Sequence, residues 1–114
     1  MTEFIVFNFV PVVLLECLVL RLTKWGKICT CLLDSLLMNF ASFICLMLGI
    51  APTISSSHAL AMLLYFTYCF LIEGFVLCLL ERQSIKQALI SAAASNFVSV
   101  LYLAGNAALT MNAP

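Results

Sequence analysis

Residues 16–22 read ECLVLRL and residues 73–79 read EGFVLCL, so a glutamate opens two similar apolar stretches 57 positions apart. An asparagine follows each glutamate after the same interval, in NFAS at residues 39–42 and in NFVS at residues 96–99. Leucine matches are common in apolar sequence, whereas glutamate and asparagine are rare in segments that cross a lipid bilayer. The shared spacing therefore predicts an internal duplication.

The composition around these stretches is that of a membrane protein. The 114 residues are 65% hydrophobic and 9% charged, and the mean hydropathy is +1.19. Soluble domains carry about 25% charged residues, and five Lys and Arg balance five Asp and Glu. These values exclude a soluble domain, a disordered tail and a nucleic-acid binder, and they predict the lipid bilayer as the surroundings of the chain.

Four stretches are long and apolar enough to cross a membrane, at about residues 4–22, 28–50, 58–80 and 85–108. A membrane-spanning helix needs about 20 apolar residues, and backbone groups in lipid must bond within their own segment. The sequence predicts an all-α, multi-pass protein with one transmembrane domain over residues 1–114. The first span is expected to be retained, because Glu3 stands where a signal peptide carries basic residues.

The charged turns predict the orientation. Every Lys and Arg lies in or beside the first or the third turn, namely Arg21, Lys24, Lys27, Arg82 and Lys86. The middle loop, residues 51–57, carries no charge. Because basic loops face the cytoplasm, both termini are expected outside it, and Trp25 is expected to anchor the first turn at the membrane surface.

The duplication predicts the topology. Each repeat, about 4–50 and about 58–108, is a helical hairpin with a basic turn. A repeat with an even number of spans returns to its starting side, so both hairpins are expected to have the same orientation. The predicted architecture is a four-helix bundle of two parallel repeats, related by an axis along the membrane normal.

The polar residues inside the spans are the candidate functional residues: Glu16, Asp34, Asn39, Glu73 and Asn96. Folding each hairpin about its turn predicts Glu16 level with Asp34, and both asparagines deeper. Three interpretations stay open. The residues hold the helices together by hydrogen bonds, they form a proton or cation site in which repulsion keeps one acid protonated, or Glu16 pairs with a snorkelling Arg21 or Lys24.

Small residues recur at helical spacing in the fourth span, at Ala88, Ser91, Ala92, Ser95 and Ser99. Small residues allow helices to approach closely, so we expect a close-packing face, inside the bundle rather than for a partner. The six cysteines are expected to be apolar fillers, and no pattern indicates a metal site, a cofactor or a catalytic set. The sequence does not predict an enzyme.

The two motifs, Glu16 with Asn39-Phe40-Ala41-Ser42 and Glu73 with Asn96-Phe97-Val98-Ser99, carry a resemblance over most of the chain. The chain resembles small, uncharacterised four-helix membrane proteins of prokaryotes. That resemblance implies the inner membrane as the location and brings no assigned function. In length, span number and a glutamate in the first helix, the chain is also similar to small multidrug resistance transporters, but these lack the hairpin duplication and a second glutamate such as Glu73.

Two functional hypotheses follow, besides a membrane-embedded enzyme partner, which would need a polar cavity. The first is an accessory or structural subunit of a larger inner-membrane complex, because the chain is a minimal helical unit. The alternative is an oligomeric carrier or a proton- or cation-conducting component that uses Glu16 and Glu73. The expected partners are other membrane subunits or further copies of the chain.

Overall fold

The computed structural model describes residues 2–45, 48 and 58–112, and it is a bundle of four helices. The helices are α1 (Thr2–Leu22), α2 (Ile28–Cys45), α3 (His58–Leu80) and α4 (Ile85–Met111). The all-α prediction is confirmed, and the described part of the chain contains no strand. Most of the predicted end of the second span (46–50) and the uncharged loop 51–57 lie outside the described residues.

Three segments of the described helices are long and apolar enough to cross a membrane, at Ile28–Cys45, Leu63–Leu80 and Ile85–Thr110. Their mean hydropathies are 1.8, 2.1 and 1.6. Helix α1 has 21 residues and includes Pro11.

The four helices are arranged as the corners of a square. Helices α1 and α3 each contact α2 and α4. The two short turns meet at one end, which we call the turn end, where the Gln83 side chain donates a 3.3 Å hydrogen bond to the Trp25 carbonyl. At the opposite, terminal end, the Asn106 amide donates a 2.6 Å hydrogen bond to Asn8 of α1. Helices α1 and α4 therefore run antiparallel along their whole contact.

The turn after α1 has the backbone pattern that commonly ends a helix. Lys24 adopts a positive φ of 60°, and its amide donates to the Arg21 carbonyl while the Trp25 amide donates to the Leu20 carbonyl. This pair of bonds is the Schellman motif. Glu81, the residue 57 positions after Lys24, has a φ of 52° at the end of α3.

Local sequence also explains where α4 begins. The Ser84 hydroxyl accepts a 3.2 Å hydrogen bond from the Gln87 amide and caps the helix. Such a cap satisfies one of the free amides of the first turn. The side chain of the same residue, Gln87, donates a hydrogen bond to the Thr23 carbonyl of the other turn. Gln87 therefore contributes both to the cap and to the contact between the two turns.

The core near the turn end combines large and small side chains. Two alanines of α4, Ala88 and Ala92, are buried there together with Leu20, Trp25, Met38 and Leu77. A methyl group added at Gly74 of α3 would lie 3.7 Å from one of these alanines. Helices α3 and α4 therefore approach each other closely at this level.

Candidate functional site: a ring of buried polar side chains

Glu16 lies on the inner face of α1 with 1% of its surface exposed. Its carboxyl group accepts hydrogen bonds from the Asn39 amide of α2 and from the Ser99 hydroxyl of α4. One glutamate thereby connects α1 to both of its neighbouring helices.

Glu73 makes the corresponding contacts from α3, with 2% of its surface exposed. One carboxyl oxygen accepts a 2.6 Å hydrogen bond from the Asn96 amide of α4. The other lies 3.0 Å from the Ser42 hydroxyl of α2. Each residue bound to Glu73 lies 57 positions from a residue bound to Glu16, so the two sets of contacts have the same composition.

A hydrogen bond on α2 joins the two sets, which together span the four helices. The Ser42 hydroxyl lies 3.1 Å from the Asn39 carbonyl, which links the Glu73 contacts to the Glu16 contacts on α2. On α4, Ser99 and Asn96 stand about one turn apart, each bonded to a different glutamate. We call these six residues the polar ring: Glu16, Asn39, Ser42, Glu73, Asn96 and Ser99.

Each asparagine amide of the polar ring uses its second hydrogen within its own helix. Asn39 donates to the Ser35 carbonyl and Asn96 donates to the Ala92 carbonyl, each at 2.9 Å. Since an amide nitrogen carries two hydrogens, both donors are saturated. The second bond also holds each amide in the orientation that meets a carboxyl group.

The contact partner of Glu16 differs from the residue that lies at its level when the first hairpin is folded about its turn. Glu16 contacts Asn39, whereas Asp34, which the sequence places level with Glu16, points toward the turn end. Side chains on a helix tilt toward its N-terminus. Because α1 and α2 run in opposite directions, Glu16 reaches away from the turn and Asn39 reaches toward it. The two side chains therefore meet between the levels of their backbones.

Neutral groups alone contact the carboxyl groups of the polar ring in the described part of the chain. The single salt bridge among the described residues joins Arg82 to Asp34. Arg21 and Lys24, the cations that the sequence offers as partners for Glu16, are both exposed. Of the three interpretations, pairing of Glu16 with a snorkelling cation does not agree with this geometry.

Asp34 is the centre of a second polar cluster, at the turn end, and is completely buried. Arg82 approaches it with two nitrogens at 2.6 Å and 3.0 Å, and the Trp25 indole donates a 2.7 Å hydrogen bond. We call these three residues the turn clamp. The hydrogen bonds to Asp34, and then its negative charge, raise the pKa of Arg82 above its ordinary value.

The position of Trp25 differs from the expected surface anchor. Only 1% of its surface is exposed, because its indole nitrogen turns inward to Asp34. The basic residues in and beside the turns that take no part in the turn clamp, namely Arg21, Lys24, Lys27 and Lys86, are exposed. Trp25 therefore ties the first turn to α2 and, through Asp34, to the third turn.

The five small residues of α4 that the sequence singles out are all buried. Ala88, Ser91, Ala92 and Ser95 are completely buried, and Ser99 is 5% exposed. The Ser91 hydroxyl is hydrogen-bonded to Thr23 at the end of α1, over 2.9 Å. The buried Ser95 hydroxyl has no hydrogen-bond partner within the described part of the chain. This face therefore serves packing and hydrogen bonding together.

A cavity of about 40 Å³ lies next to the polar ring, on its terminal-end side. Asn39 and Ser42 of the polar ring form one wall, and Asn8, Tyr65 and Leu103 contribute from the other three helices. A buried water molecule needs about 10–15 Å³ of such volume and two or more polar partners. The cavity therefore has room for up to about three water molecules, and its lining is mostly apolar.

Among the described residues, the cysteines form no group that could hold a metal ion. All six cysteines are free thiols, and no three His, Cys, Asp or Glu side chains come together among the described residues. The side chain of His58 lies outside the described residues. The candidate site therefore consists of carboxyl, amide and hydroxyl groups.

Sequence reasoning singled out the acids and amides of the polar ring and missed the role of its hydroxyls. Ser99 was predicted as a packing residue, and Ser42 only as its counterpart in the repeat. The signal was present in the spacing, because Ser42 and Ser99 are themselves 57 positions apart. The same offset separates Trp25 from Arg82, which share Asp34 as a partner.

Comparisons with known proteins add no information about the fold or the candidate site. No protein-family model, no curated protein and no solved structure matches the chain.

Proposed function

We propose that the chain is a small multi-pass protein of a prokaryotic inner membrane that serves as an accessory or structural subunit of a larger membrane complex. The observation that carries the membrane assignment is the reversed distribution of its side chains. The buried residues include eleven polar ones, whereas Phe7, Leu14, Phe40, Phe75 and Phe97 are among the exposed large apolar residues. Water-soluble proteins have the opposite arrangement.

The dimensions support the same assignment. The longest extent of the bundle is 43 Å, and a bilayer with its headgroup regions measures about 40–45 Å. The apolar side chains of all four helices then face acyl chains or the apolar surface of another membrane protein. With the basic turn end in the cytoplasm, both termini lie on the other side.

Two parallel repeats account for the paired contacts. The polar ring and the positive φ angles of Lys24 and Glu81 recur at the same offset, and both turns lie at one end of the bundle. A duplicated hairpin with its axis along the membrane normal produces these equivalences. Exchange of partners between hairpins, as in the bonds of Ser99 to Glu16 and of Ser42 to Glu73, makes the two repeats one folding unit.

The accessory role is supported by how the carboxyl groups are used. Each is bonded to side chains of the same chain, and the outward faces of the helices are apolar. Interhelical hydrogen bonds hold a bundle together in lipid, where apolar association between helices is weak. The outer surface then remains free for lateral contacts with larger membrane subunits.

Copurification tests this proposal. The chain, tagged at its C-terminus and expressed at its natural level, is extracted in mild detergent and analysed by native mass spectrometry. We expect a stoichiometric assembly with a larger membrane protein. Recovery as a free monomer argues against the accessory role, and recovery as a homo-oligomer favours the alternative below.

One observation favours the alternative, an oligomeric carrier or a proton- or cation-conducting component. The cavity beside Asn39 and Ser42 brings space for water up to the polar ring. In this case, purified protein in vesicles transports protons or cations, and Glu16→Gln or Glu73→Gln abolishes the flux in correctly folded protein. Flux that survives both substitutions rejects this use of the carboxyl groups.

The orientation has its own test. Alkaline phosphatase is active only outside the cytoplasm, so its fusion to the C-terminus is expected to be active. A fusion at residue 24 of the first turn serves as the control and is expected to be inactive. The reverse pattern contradicts the proposed topology.

A further inference from the structure

We propose that Glu73 is a proton-binding site, which holds a proton on Oε1 and exchanges it through the Ser42 hydroxyl with water in the neighbouring cavity. Glu16 remains a carboxylate in the same state. This inference concerns the protonation of the polar ring, and it stands independently of which partner the chain has.

The argument begins with the number of hydrogens at Ser42. Its hydroxyl oxygen lies 3.0 Å from Glu73 Oε1 and 3.1 Å from the Asn39 carbonyl oxygen. A hydroxyl has one hydrogen to donate, so it cannot donate fully to both acceptors. A proton on Glu73 Oε1 resolves the conflict, because Glu73 then donates to Ser42 and Ser42 donates to Asn39.

The matched position on the other glutamate lacks this conflict. In the described part of the chain, the Ser99 hydroxyl has Glu16 as its hydrogen-bond partner. Its one hydrogen therefore goes to Glu16, and the Asn39 amide supplies a second. An ionised carboxylate accepts bonds only, and both contacts of Glu16 are bonds that it accepts. The hydrogen-bond pattern thus distinguishes the two glutamates.

The groups around Glu73 favour a polar ring whose two glutamates hold one proton rather than none. Glu16 of α1 lies in the same ring, and like charges at close range disfavour ionisation of both groups. Tyr65 and Cys69 are the other titratable groups near Glu73, both on α3, and neither supplies a positive charge. On α2 the charged residue is Asp34, which Arg82 already neutralises, while α4 contributes the neutral Asn96 and Ser99.

The same contacts favour a proton over a metal cation. Each of the four carboxyl oxygens of the polar ring already lies within hydrogen-bond distance of one amide or hydroxyl group. A cation that used these oxygens would displace those donors from a buried site. A proton on Glu73 needs only the reversal of one hydrogen bond.

The cavity supplies the exchange route, because Ser42 belongs to both its wall and the polar ring. In the release step, the O–H bond of Glu73 breaks and its proton passes to the Ser42 oxygen. Before this transfer the Ser42 O–H bond turns from the Asn39 carbonyl to a water molecule in the cavity, and the original Ser42 proton passes to that water, which leaves as hydronium. The hydroxyl then donates to the new Glu73 carboxylate, and uptake follows the reverse course.

Infrared spectroscopy of the full chain in lipid vesicles at neutral pH tests the proposal. A protonated carboxyl group has a C=O stretch distinct from that of a carboxylate. We expect one such band in the wild type, shifted when glutamate is labelled with ¹³C, which separates Glu73 from Asp34. Absence of the band overturns the proposal without any variant.

Matched variants then locate the proton. Glu73→Gln is expected to abolish the band, whereas Glu16→Gln, its counterpart in the other hairpin, is expected to retain it. Transfer to D₂O shifts the band in the wild type, and Ser42→Ala is expected to slow this shift, whereas Ser95→Ala, a buried serine outside the polar ring and the cavity wall, leaves its rate unchanged. The proposal is contradicted if the band is lost in Glu16→Gln but kept in Glu73→Gln. It is also contradicted if the two serine variants exchange at equal rates.

Discussion

Ser99 lies 83 residues after Glu16 in the sequence, and its hydroxyl donates a hydrogen bond to the Glu16 carboxyl group across the contact of α1 with α4. The bond joins the last helix to the first. Together with the bond from Ser42 to Glu73, it makes each carboxyl group depend on both hairpins. The polar ring therefore couples the stability of the two hairpins.

A double-mutant cycle measures this coupling. Glu16→Met and Ser99→Ala are combined, and unfolding is followed by circular dichroism during titration of mixed micelles with a denaturing detergent. We expect a coupling free energy of about 1 kcal/mol, as for contacting groups in one network.

The control pair for this cycle is Glu16→Met with Thr67→Ala. Thr67 is exposed, and its hydroxyl donates to the Leu63 carbonyl within α3. We expect a coupling free energy near zero for this pair. Equal coupling in both cycles would show that the measured term does not report the bond between Ser99 and Glu16.

The two asparagines of the polar ring provide a second prediction. Asn39→Leu and Asn96→Leu each leave a buried carboxyl group without its amide donor. We expect each to lower the free energy of unfolding by about 1–2 kcal/mol, since an unsatisfied buried group costs about 1–3 kcal/mol. Phe40→Leu is the control, because Phe40 neighbours Asn39 and faces outward. Equal losses in all three variants would contradict a specific role of the amides.

The turn clamp is tested through Trp25, the single tryptophan of the chain. Arg82→Gln removes two donors from the buried Asp34 carboxylate, so the turn is expected to loosen and Trp25 fluorescence to become more sensitive to acrylamide. Arg82→Lys is expected to restore little, because an ammonium group does not reproduce the paired contacts of a guanidinium. Lys86→Gln, which removes an exposed cation from the same region, is the control and leaves quenching unchanged.

The raised pKa of Arg82 predicts how the turn clamp depends on pH. A cation whose pKa is higher in the folded state contributes stability that is complete below its unfolded value, and it loses this stability as the pH rises through the folded value. Both values lie far above neutrality, because an arginine is ordinarily protonated there. Trp25 quenching is therefore expected to show no transition from Arg82 between neutral and mildly alkaline pH. A transition in this range that Arg82→Gln removes would refute the assignment.

The positive φ angles of Lys24 and Glu81 yield a fifth prediction. Glycine adopts this conformation without the steric cost of a side chain, which is about 1 kcal/mol. Lys24→Gly and Glu81→Gly are therefore each expected to raise the free energy of unfolding by up to about 1 kcal/mol. The two substitutions remove opposite charges, so an equal gain has a conformational cause. Lys86→Gly, in the first turn of α4 where φ is not positive, is expected to give no gain.

The sequence is most informative about the elements along the chain. Apolar length predicts four helices, and the beginnings of α2, α3 and α4 coincide with the predicted ones. The acids and amides of the polar ring are visible because such residues are costly in lipid. Ser42 and Ser99 are not visible in the same way, since serine is tolerated in membrane helices whether or not it bonds to a carboxyl group.

Composition and spacing by themselves determined the all-α class, the positions of the turns and the paired acids and amides, because hydropathy and rare residues can be read along one dimension. Only the tertiary structure decided which groups meet. Antiparallel helices tilt their side chains toward each other, so Glu16 contacts Asn39 and Ser99 rather than Asp34. Partner exchange between hairpins, the burial of Trp25 and the cavity beside Ser42 depend on how four helices pack around a common axis, which no local pattern encodes.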